Sequence, residues 1–106
     1  MDNFKVVYKI LSTLEAAMDY PDYDMGSISA EKLGISKERW CRYIEMMSDV
    51  GYVKGAEIER NILGETDVDV ADMRITLKGL EYLQENAIMR KIYKTAKGIK
   101  EVVPGL

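Results

Sequence analysis

Histidine is absent from this chain of 106 residues, and cysteine occurs only once, as Cys41. Without histidine, the sequence lacks the commonest general base and nucleophile activator at neutral pH. The single thiol excludes an internal disulfide, which is typical of a reducing cytoplasm, and a lone thiol needs a neighbouring base to become reactive. No glycine-rich phosphate-binding loop is present either. We therefore expect no enzymatic activity and no cofactor, with Cys41 an ordinary helix residue.

Long apolar runs are also missing from the sequence. None approaches the roughly 18 to 20 residues that a transmembrane helix requires, and the N-terminal Met-Asp-Asn-Phe-Lys lacks the basic and apolar regions of a signal peptide. With 47% hydrophobic and 31% charged residues, the composition is that of a folded domain rather than a disordered chain. We expect one cytoplasmic domain with a modest core and no membrane partner.

Charge is distributed unevenly along the chain, although the net charge is only −3. Residues 1–86 hold 17 acidic against 10 basic side chains, a balance of −7. The last twenty residues hold one acid, Glu101, against five bases: Arg90, Lys91, Lys94, Lys97 and Lys100. Because phosphate attraction depends on local positive charge, any contact with nucleic acid has to overcome the acidic body.

Apolar residues spaced by three and four predict a first helix, which ends before Pro21 because the residue before a proline is pushed out of the helical region. Its predicted buried stripe comprises Phe4, Val7, Leu11, Leu14 and Met18. The segment DYPDYDMGS that follows is typical of a loop. After this loop we expect Ile28 to form a very short strand.

Two further helices are predicted in close succession. Ser29 is a suitable N-cap for a short helix over 30–33, and Gly34 fits the left-handed position that ends a helix at little steric cost. Ser36 can then cap a third helix over 37–50. A stop and a restart this close together are the sequence pattern of a helix-turn-helix.

The next segment predicts a two-stranded ribbon. Its alternating apolar residues are Val53, Ile58, Met73 and Ile75. Because the connection is too long for a two-residue turn, we expect a long loop around 60–71. Alternatively, Val68 and Val70 extend the second strand.

A fourth helix is predicted after Thr76, which can serve as its cap, and Asn86 either ends or bends this helix. Its predicted apolar stripe comprises Leu77, Leu80, Leu83 and Ala87. The helical period resumes in the tail with Ile88, Ile92, Ala96, Ile99 and Val103. On a helical wheel, the five basic residues of the tail lie opposite these apolar residues.

The order helix, helix, turn, helix, ribbon, helix is that of a winged helix-turn-helix, and a generic small α+β domain is the alternative. The predicted fold class is therefore α+β and mostly helical, with a two-stranded wing and a C-terminal helical extension. We assign residues 1–86 to the winged domain. We expect 87–106 to form a basic amphipathic helix that packs on the domain or serves dimerisation.

Three stretches resemble the YjcQ-like family of small winged-helix proteins of Gram-positive bacteria and their phages. They are FKVVYKILSTLE, ISAEKLGISKERWCRYIEMMSDVGYVKG, and ITLKGLEYLQEN with its Lys-rich tail, whereas the acidic segment ILGETDVDVADM matches least. The resemblance covers most of the chain. It implies the fold and a phage or prophage origin, but it carries no activity and no catalytic residues.

DNA binding is the function that this fold suggests, because the second helix of a helix-turn-helix enters the major groove with its N-terminal residues. Those residues are Ser36, Lys37, Glu38, Arg39, Cys41 and Arg42. Arg39 or Arg42 can pair with a guanine, and Ser36 and Lys37 can hold phosphate. Acidic residues of this helix oppose that function, as do those of the wing, where six acids face two bases.

A protein-interaction module is the alternative function, acting on another protein or on a second copy of the chain. The apolar stripe of the tail either packs on the first helix or forms a two-fold dimer with paired recognition helices. The basic face of the tail, from Arg90 to Lys100, is either a secondary contact with nucleic acid or simply solvated.

A calcium site in the wing is the last possibility, since Glu65, Asp67, Asp69 and Asp72 alternate as oxygen ligands do. The segment lacks the glycine and the final glutamate of an EF-hand loop. We therefore expect a solvated acidic loop without a metal.

Overall fold

The computed structural model describes residues 2–86 and residue 91 of the chain. Helices and two small antiparallel sheets make up this region, as the predicted α+β class requires. The elements are α1 Asn3–Ala17, a 3-10 turn Met25–Ile28, α2 Ala30–Leu33, α3 Lys37–Asp49, β1 Val53–Lys54, β2 Glu57–Arg60, β3 Thr66–Asp69, β4 Arg74–Ile75 and α4 Leu77–Glu85. The predicted C-terminal helix over 87–106 lies outside the described residues, except for Lys91, which is helical and exposed.

Helix α1 begins at Asp2, whose carboxylate accepts hydrogen bonds from the first free backbone N–H groups of the helix. The buried face is rotated from the predicted stripe. It consists of Val6, Ile10, Leu11 and Leu14, whereas Phe4 and Met18 are exposed. Helix α4, strand β4 and the 3-10 turn contact α1, and among the described residues their packing buries the middle of the predicted stripe but not its two end positions.

The turn between α2 and α3 forms as the sequence predicts. Ser29 Oγ accepts from Lys32 N at 3.3 Å, and Gly34 takes a left-handed φ of 73°. Ser36 Oγ then accepts from Arg39 N at 3.1 Å and starts α3.

The expected strand at Ile28 is wrong. Ile28 ends the 3-10 turn with its side chain fully buried. Its carbonyl accepts a hydrogen bond from Trp40 Nε1 at 2.8 Å, so a side chain of α3 satisfies the group that a strand partner would otherwise pair.

The predicted ribbon is divided into two ladders. Strands β1 and β4 pair beside the core, with Val53 opposite Ile75. Strands β2 and β3 form a separate pair, which together with the tip 61–65 is called the distal hairpin below. Between the two ladders, the backbone at Gly55 lies close to the backbone at Asp72. The φ angle of Gly55 is 88°, and an added Cβ would lie 2.1 Å from the carbonyl oxygen of Asp72.

The expected long loop over 60–71 is therefore too long. Strand β3 occupies Thr66–Asp69, so the alternative that places Val68 in the second strand is correct, although Val70 lies just outside it. Asn61 closes the short tip by accepting hydrogen bonds from the backbone N–H groups of Leu63 and Glu65. This local closure lets pairing begin directly at Arg60 and Thr66.

Helix α4 begins at Thr76, whose hydroxyl accepts from Gly79 N at 3.1 Å and donates to the carbonyl of Gly51. It ends at Asn86, which is the C-cap. The predicted apolar stripe is only partly buried: Leu83 is in the core, whereas Leu77 is exposed. Leu77 is the first helical residue, and the N-terminal side of α4 meets β1 and β4 through Gly79 instead.

One hydrophobic core joins these elements. Its largest fully buried side chains are Ile10, Leu11, Ile28, Ile44 and Met73. Among the described helices, none has the length and apolar character needed to cross a membrane.

Candidate nucleic-acid interface

The N-terminal half of α3 presents the predicted DNA-contact residues to solvent. Helical periodicity places Tyr43, Ile44 and Met47 against the core. On the remaining surface of the helix and its cap, the exposed candidates are Ser36, Lys37, Arg39 and Arg42. The structure therefore brings all four together at one end of α3.

Lys37 lies beside the distal hairpin. Its Nζ is 3.4 Å from Asp67 Oδ1, and both side chains are well exposed. An exposed pair of this kind contributes about 0–1 kcal/mol, so Lys37 can exchange Asp67 for another anion at little cost. Ser36 has its Oγ occupied as the N-cap acceptor, and a hydroxyl retains its own donor for a phosphate.

Arg39 lies on the other side of α3, against the start of α1. Its guanidinium donates to Asn3 Oδ1 at 3.1 Å and to the Tyr43 hydroxyl at 3.3 Å. The Tyr43 hydroxyl also donates to Asn3 Oδ1. These bonds fix the direction of the guanidinium while leaving Arg39 exposed.

Arg42 projects from α3 one turn beyond Glu38. It is exposed, and within the described part of the chain it has no ion pair or hydrogen-bonding partner. A guanidinium without a partner retains all five donors for a planar acceptor pair. Arg42 is thus the side chain of α3 best prepared to bind an external anion or a base edge.

Acidic side chains surround these bases. Glu38 and Asp49 are exposed on α3, and Glu45 Oε2 lies 2.5 Å from Arg60 Nη2 of the distal hairpin. Between residues 57 and 72 there are six acids and a single base, Arg60. The hairpin therefore repels a phosphate backbone, which limits nucleic-acid contact to α3 itself.

A shallow groove of about 720 Å³ runs beside the exposed bases of α3. Arg39 and Arg42 line it at one side, and its floor is largely apolar. The apolar and aromatic side chains are Phe4, Val7, Tyr43, Met46, Met47, Val50, Tyr52 and Tyr82. The sequence signal for this groove is that Met46 and Val50 are apolar and four residues apart, and the structure places them outside the core face formed by Tyr43, Ile44 and Met47.

Residues 8–102 match the family model described as YjcQ protein. The chain belongs to the YjcQ family. The match includes α3, the distal hairpin and α4, and it confirms the resemblance found in the sequence. No curated protein and no solved structure matches the chain. Membership of the YjcQ family is consistent with a small regulatory or DNA-binding protein.

Two tyrosines, Tyr52 and Tyr82, line the groove of this YjcQ-family chain. The ring centroids of Tyr52 and Tyr82 are 4.9 Å apart with the planes inclined at 40°, a distance typical of aromatic pairs. Burial raises the pKa of the Tyr82 hydroxyl, and the nearby Tyr52 and Asp2 raise the pKa further. The Tyr82 ring is part of the groove lining.

Cys41 is among the α3 residues predicted from the sequence to enter the major groove, but the structure does not place it where it could contact DNA. Its side chain is buried, and Sγ lies 3.8 Å from the carbonyl oxygen of Thr66. Burial is the main reason that the pKa of this thiol lies above its ordinary value. In the YjcQ-family fold, Cys41 joins α3 to the distal hairpin.

The predicted sites outside α3 have separate outcomes. Among the described residues, no three His, Cys, Asp or Glu side chains are arranged to hold a metal ion. Lys91 is exposed. The other residues of the predicted basic face, Arg90, Lys94, Lys97 and Lys100, lie outside the described part of the chain.

Proposed function

We propose that this YjcQ-family protein is a winged-helix, transcription-regulator-like protein that binds double-stranded DNA with α3 as the recognition helix. The observation that carries the proposal is the exposed guanidinium of Arg42 on the second helix of the helix-turn-helix, which none of the described side chains pairs with. The element order is compatible with a winged-helix layout, in which the β1–β4 ladder and the distal hairpin form the wing.

Each candidate side chain has a distinct role in this proposal. Arg42 donates two parallel hydrogen bonds to the O6 and N7 atoms of a guanine. Lys37 and the Ser36 hydroxyl hold phosphates on the hairpin side of α3, and Arg39 holds a phosphate on the α1 side. The few phosphate contacts predict moderate affinity with a shallow salt dependence.

The acidic wing sets the manner of approach. The part of the wing between residues 57 and 72, with one base against six acids, does not follow the phosphate backbone. We therefore expect α3 to enter the major groove of the DNA at an angle that keeps the distal hairpin away from the DNA.

The test is a fluorescence-anisotropy titration of the full chain on random duplex DNA at low and moderate salt. The double variant Arg39→Ala/Arg42→Ala removes two charges from α3, and Lys54→Ala/Arg74→Ala removes the same charge from the β1–β4 ladder as a matched control. We expect binding that weakens with salt, is lost or reduced at least about tenfold in the α3 variant, and is nearly unchanged in the control.

Two results contradict this proposal in different ways. Salt-sensitive binding that survives in the α3 variant assigns DNA contact to the basic tail rather than to α3. An absence of binding at low salt, where phosphate attraction is strongest, excludes general DNA binding.

A protein-interaction module is the second candidate function, and two observations favour it. The wing is acidic, and the described residues leave an apolar groove beside α3 uncovered. Neither feature serves contact with phosphate, whereas both suit a protein partner.

A further inference from the structure

The tip of the distal hairpin exposes two adjacent aliphatic side chains. Ile62 is 99% exposed and Leu63 is 79% exposed. Turn residues are most often Gly, Pro, Asn, Asp and Ser, so two adjacent large aliphatic residues at the end of this hairpin offer apolar area for a contact.

Hydrogen bonds hold this tip in one conformation. Asn61 N donates to the carbonyl of Glu65 at 2.9 Å, and the Asn61 carbonyl accepts from Gly64 N at 2.9 Å. The Asn61 side chain accepts from Leu63 N and Glu65 N at 2.9 and 3.0 Å. Because the tip is already ordered, docking it costs little additional conformational entropy.

The hairpin has two different faces. Ile58 and Val68 are paired and half-buried. On the alternate face Glu57 pairs with Asp69, and Glu59 pairs with Asp67. Like charges directly opposite each other destabilise a ladder. Lys37 of the same chain lies against Asp67, so a further cationic surface relieves repulsion chiefly at Glu57, Glu59 and Asp69.

The groove beside α3 complements the hairpin in both respects. Phe4, Met46 and Val50 line it and are 60%, 53% and 48% exposed, so they offer apolar area that the described residues leave uncovered. Arg39 and Arg42 line the same groove together with one acid, Glu38, so the charged side chains of the lining are positive on balance.

The hairpin of the same chain does not reach this groove. Ion pairs from Asp67 to Lys37 and from Arg60 to Glu45 hold the hairpin along one side of α3. Arg39 bonds to Asn3 of α1 on the groove side. A hairpin that enters the groove must therefore come from another molecule.

We propose that the distal hairpin of one copy docks into the groove of a second copy. Ile62 and Leu63 then cover Phe4, Met46 and Val50, while Glu59 and its acidic neighbours lie against Arg42 and Arg39. When each hairpin enters the other's groove, a two-fold axis relates the copies and closes the assembly as a dimer. This inference does not depend on DNA binding.

The contact is small, so the dimer is reversible. Two aliphatic side chains and one acidic face fall at the low end of interface sizes, where association is weak and transient. We therefore expect the full chain to be monomeric at about 10 µM and to become dimeric toward about 1 mM.

Sedimentation velocity of the full chain over that concentration range is the test. The tip variant Ile62→Ser/Leu63→Ser should abolish association without unfolding the protein, because both residues are exposed. The matched control is Leu77→Ser, which replaces an exposed aliphatic residue at the start of α4 and should leave association unchanged.

Exchanging the charges of two residues across the proposed interface distinguishes this specific contact from non-specific association. Arg42→Glu and Glu59→Arg should each weaken association by at least about tenfold, since like charges then face each other. The double variant should restore it. Circular dichroism of each variant confirms that the fold is intact.

Three outcomes overturn the proposal. The first is a single species near 12.1 kDa at every concentration, which leaves the groove to another occupant such as residues 87–106 or a different protein. The second is association that persists in the tip variant. The third is that the double variant Arg42→Glu/Glu59→Arg does not restore association, whereas Lys94→Glu/Lys97→Glu abolishes it. That result means that the acidic hairpin binds the basic tail rather than the groove.

Discussion

Replacing Gly79 by alanine should destabilise this protein, although alanine is the better helix former. Gly79 lies in the first turn of α4 with no unusual φ, so backbone conformation does not require glycine there. An added Cβ would instead lie 2.4 Å from the carbonyl oxygen of Tyr52 and 2.7 Å from Cγ1 of Ile75. The missing side chain is what allows α4 to approach β1 and β4.

The size of the effect follows from which neighbour can move. The Tyr52 carbonyl oxygen belongs to the backbone and already accepts a hydrogen bond from Thr76 N at 3.0 Å. Relief of the clash therefore has to shift α4 away from the strands, at a cost near the upper end of roughly 1–3 kcal/mol for overpacking. Helix propensity returns about 1 kcal/mol. We expect a net loss of about 2 kcal/mol, or about 8–16 °C in Tm for a domain of this size.

Thermal and urea unfolding followed by circular dichroism measure this loss. Glu81→Ala is the matched control, because it places alanine at an exposed position of the same helix and should change stability by less than about 0.5 kcal/mol. If Gly79→Ala unfolds at the same temperature as the wild type or higher, the close packing of α4 on Tyr52 and β4 is wrong.

Two further predictions concern α3. Trp40→Phe removes the donor to the Ile28 carbonyl and should cost about 1–3 kcal/mol in urea unfolding, since that carbonyl then lacks its partner; a loss below about 0.5 kcal/mol contradicts the bond. The Cys41 thiol should react with a disulfide reagent far more slowly in the native protein than in urea, and equal rates contradict its burial. Because burial raises the pKa of this thiol in the folded state, the free energy of unfolding should decline as pH rises above about 9, where the unfolded thiol ionises first. Cys41→Ala should reduce that decline between about pH 8 and about pH 10 in urea midpoints.

Helix boundaries were predictable from the sequence because capping is local. Ser29, Ser36 and Thr76 each accept a hydrogen bond from a backbone N–H three residues later. Gly34 adopts the left-handed conformation that few other residues tolerate. These decisions depend on a few adjacent residues, so the sequence contains them directly.

Burial at helix ends was not predictable in the same way. Phe4 and Leu77 continue the apolar period of their helices, yet both are exposed. Periodicity identifies a face, but only the neighbouring elements decide how far along the helix that face is covered.

Part of the candidate site was likewise predictable from local sequence, and part of it was not. The exposure of Arg39 and Arg42 follows from the periodicity of α3, whereas the groove joins Phe4 and Val7 of α1 to a second face of α3. The partition of the ribbon into two ladders depends on the contact of Gly55 with Asp72, which are far apart in sequence.

The close approach of Gly55 to Asp72 also separates the part of the ribbon that the core constrains from the part that tolerates change. On the core side, Val53 and Ile75 are buried and fix the β1–β4 ladder. Beyond Gly55, the distal hairpin contributes only half-buried side chains to the core. Doubling the length of such a connecting segment adds only about 0.6 kcal/mol of loop-closure entropy. The length and charge of the hairpin can therefore change with little effect on the helical core.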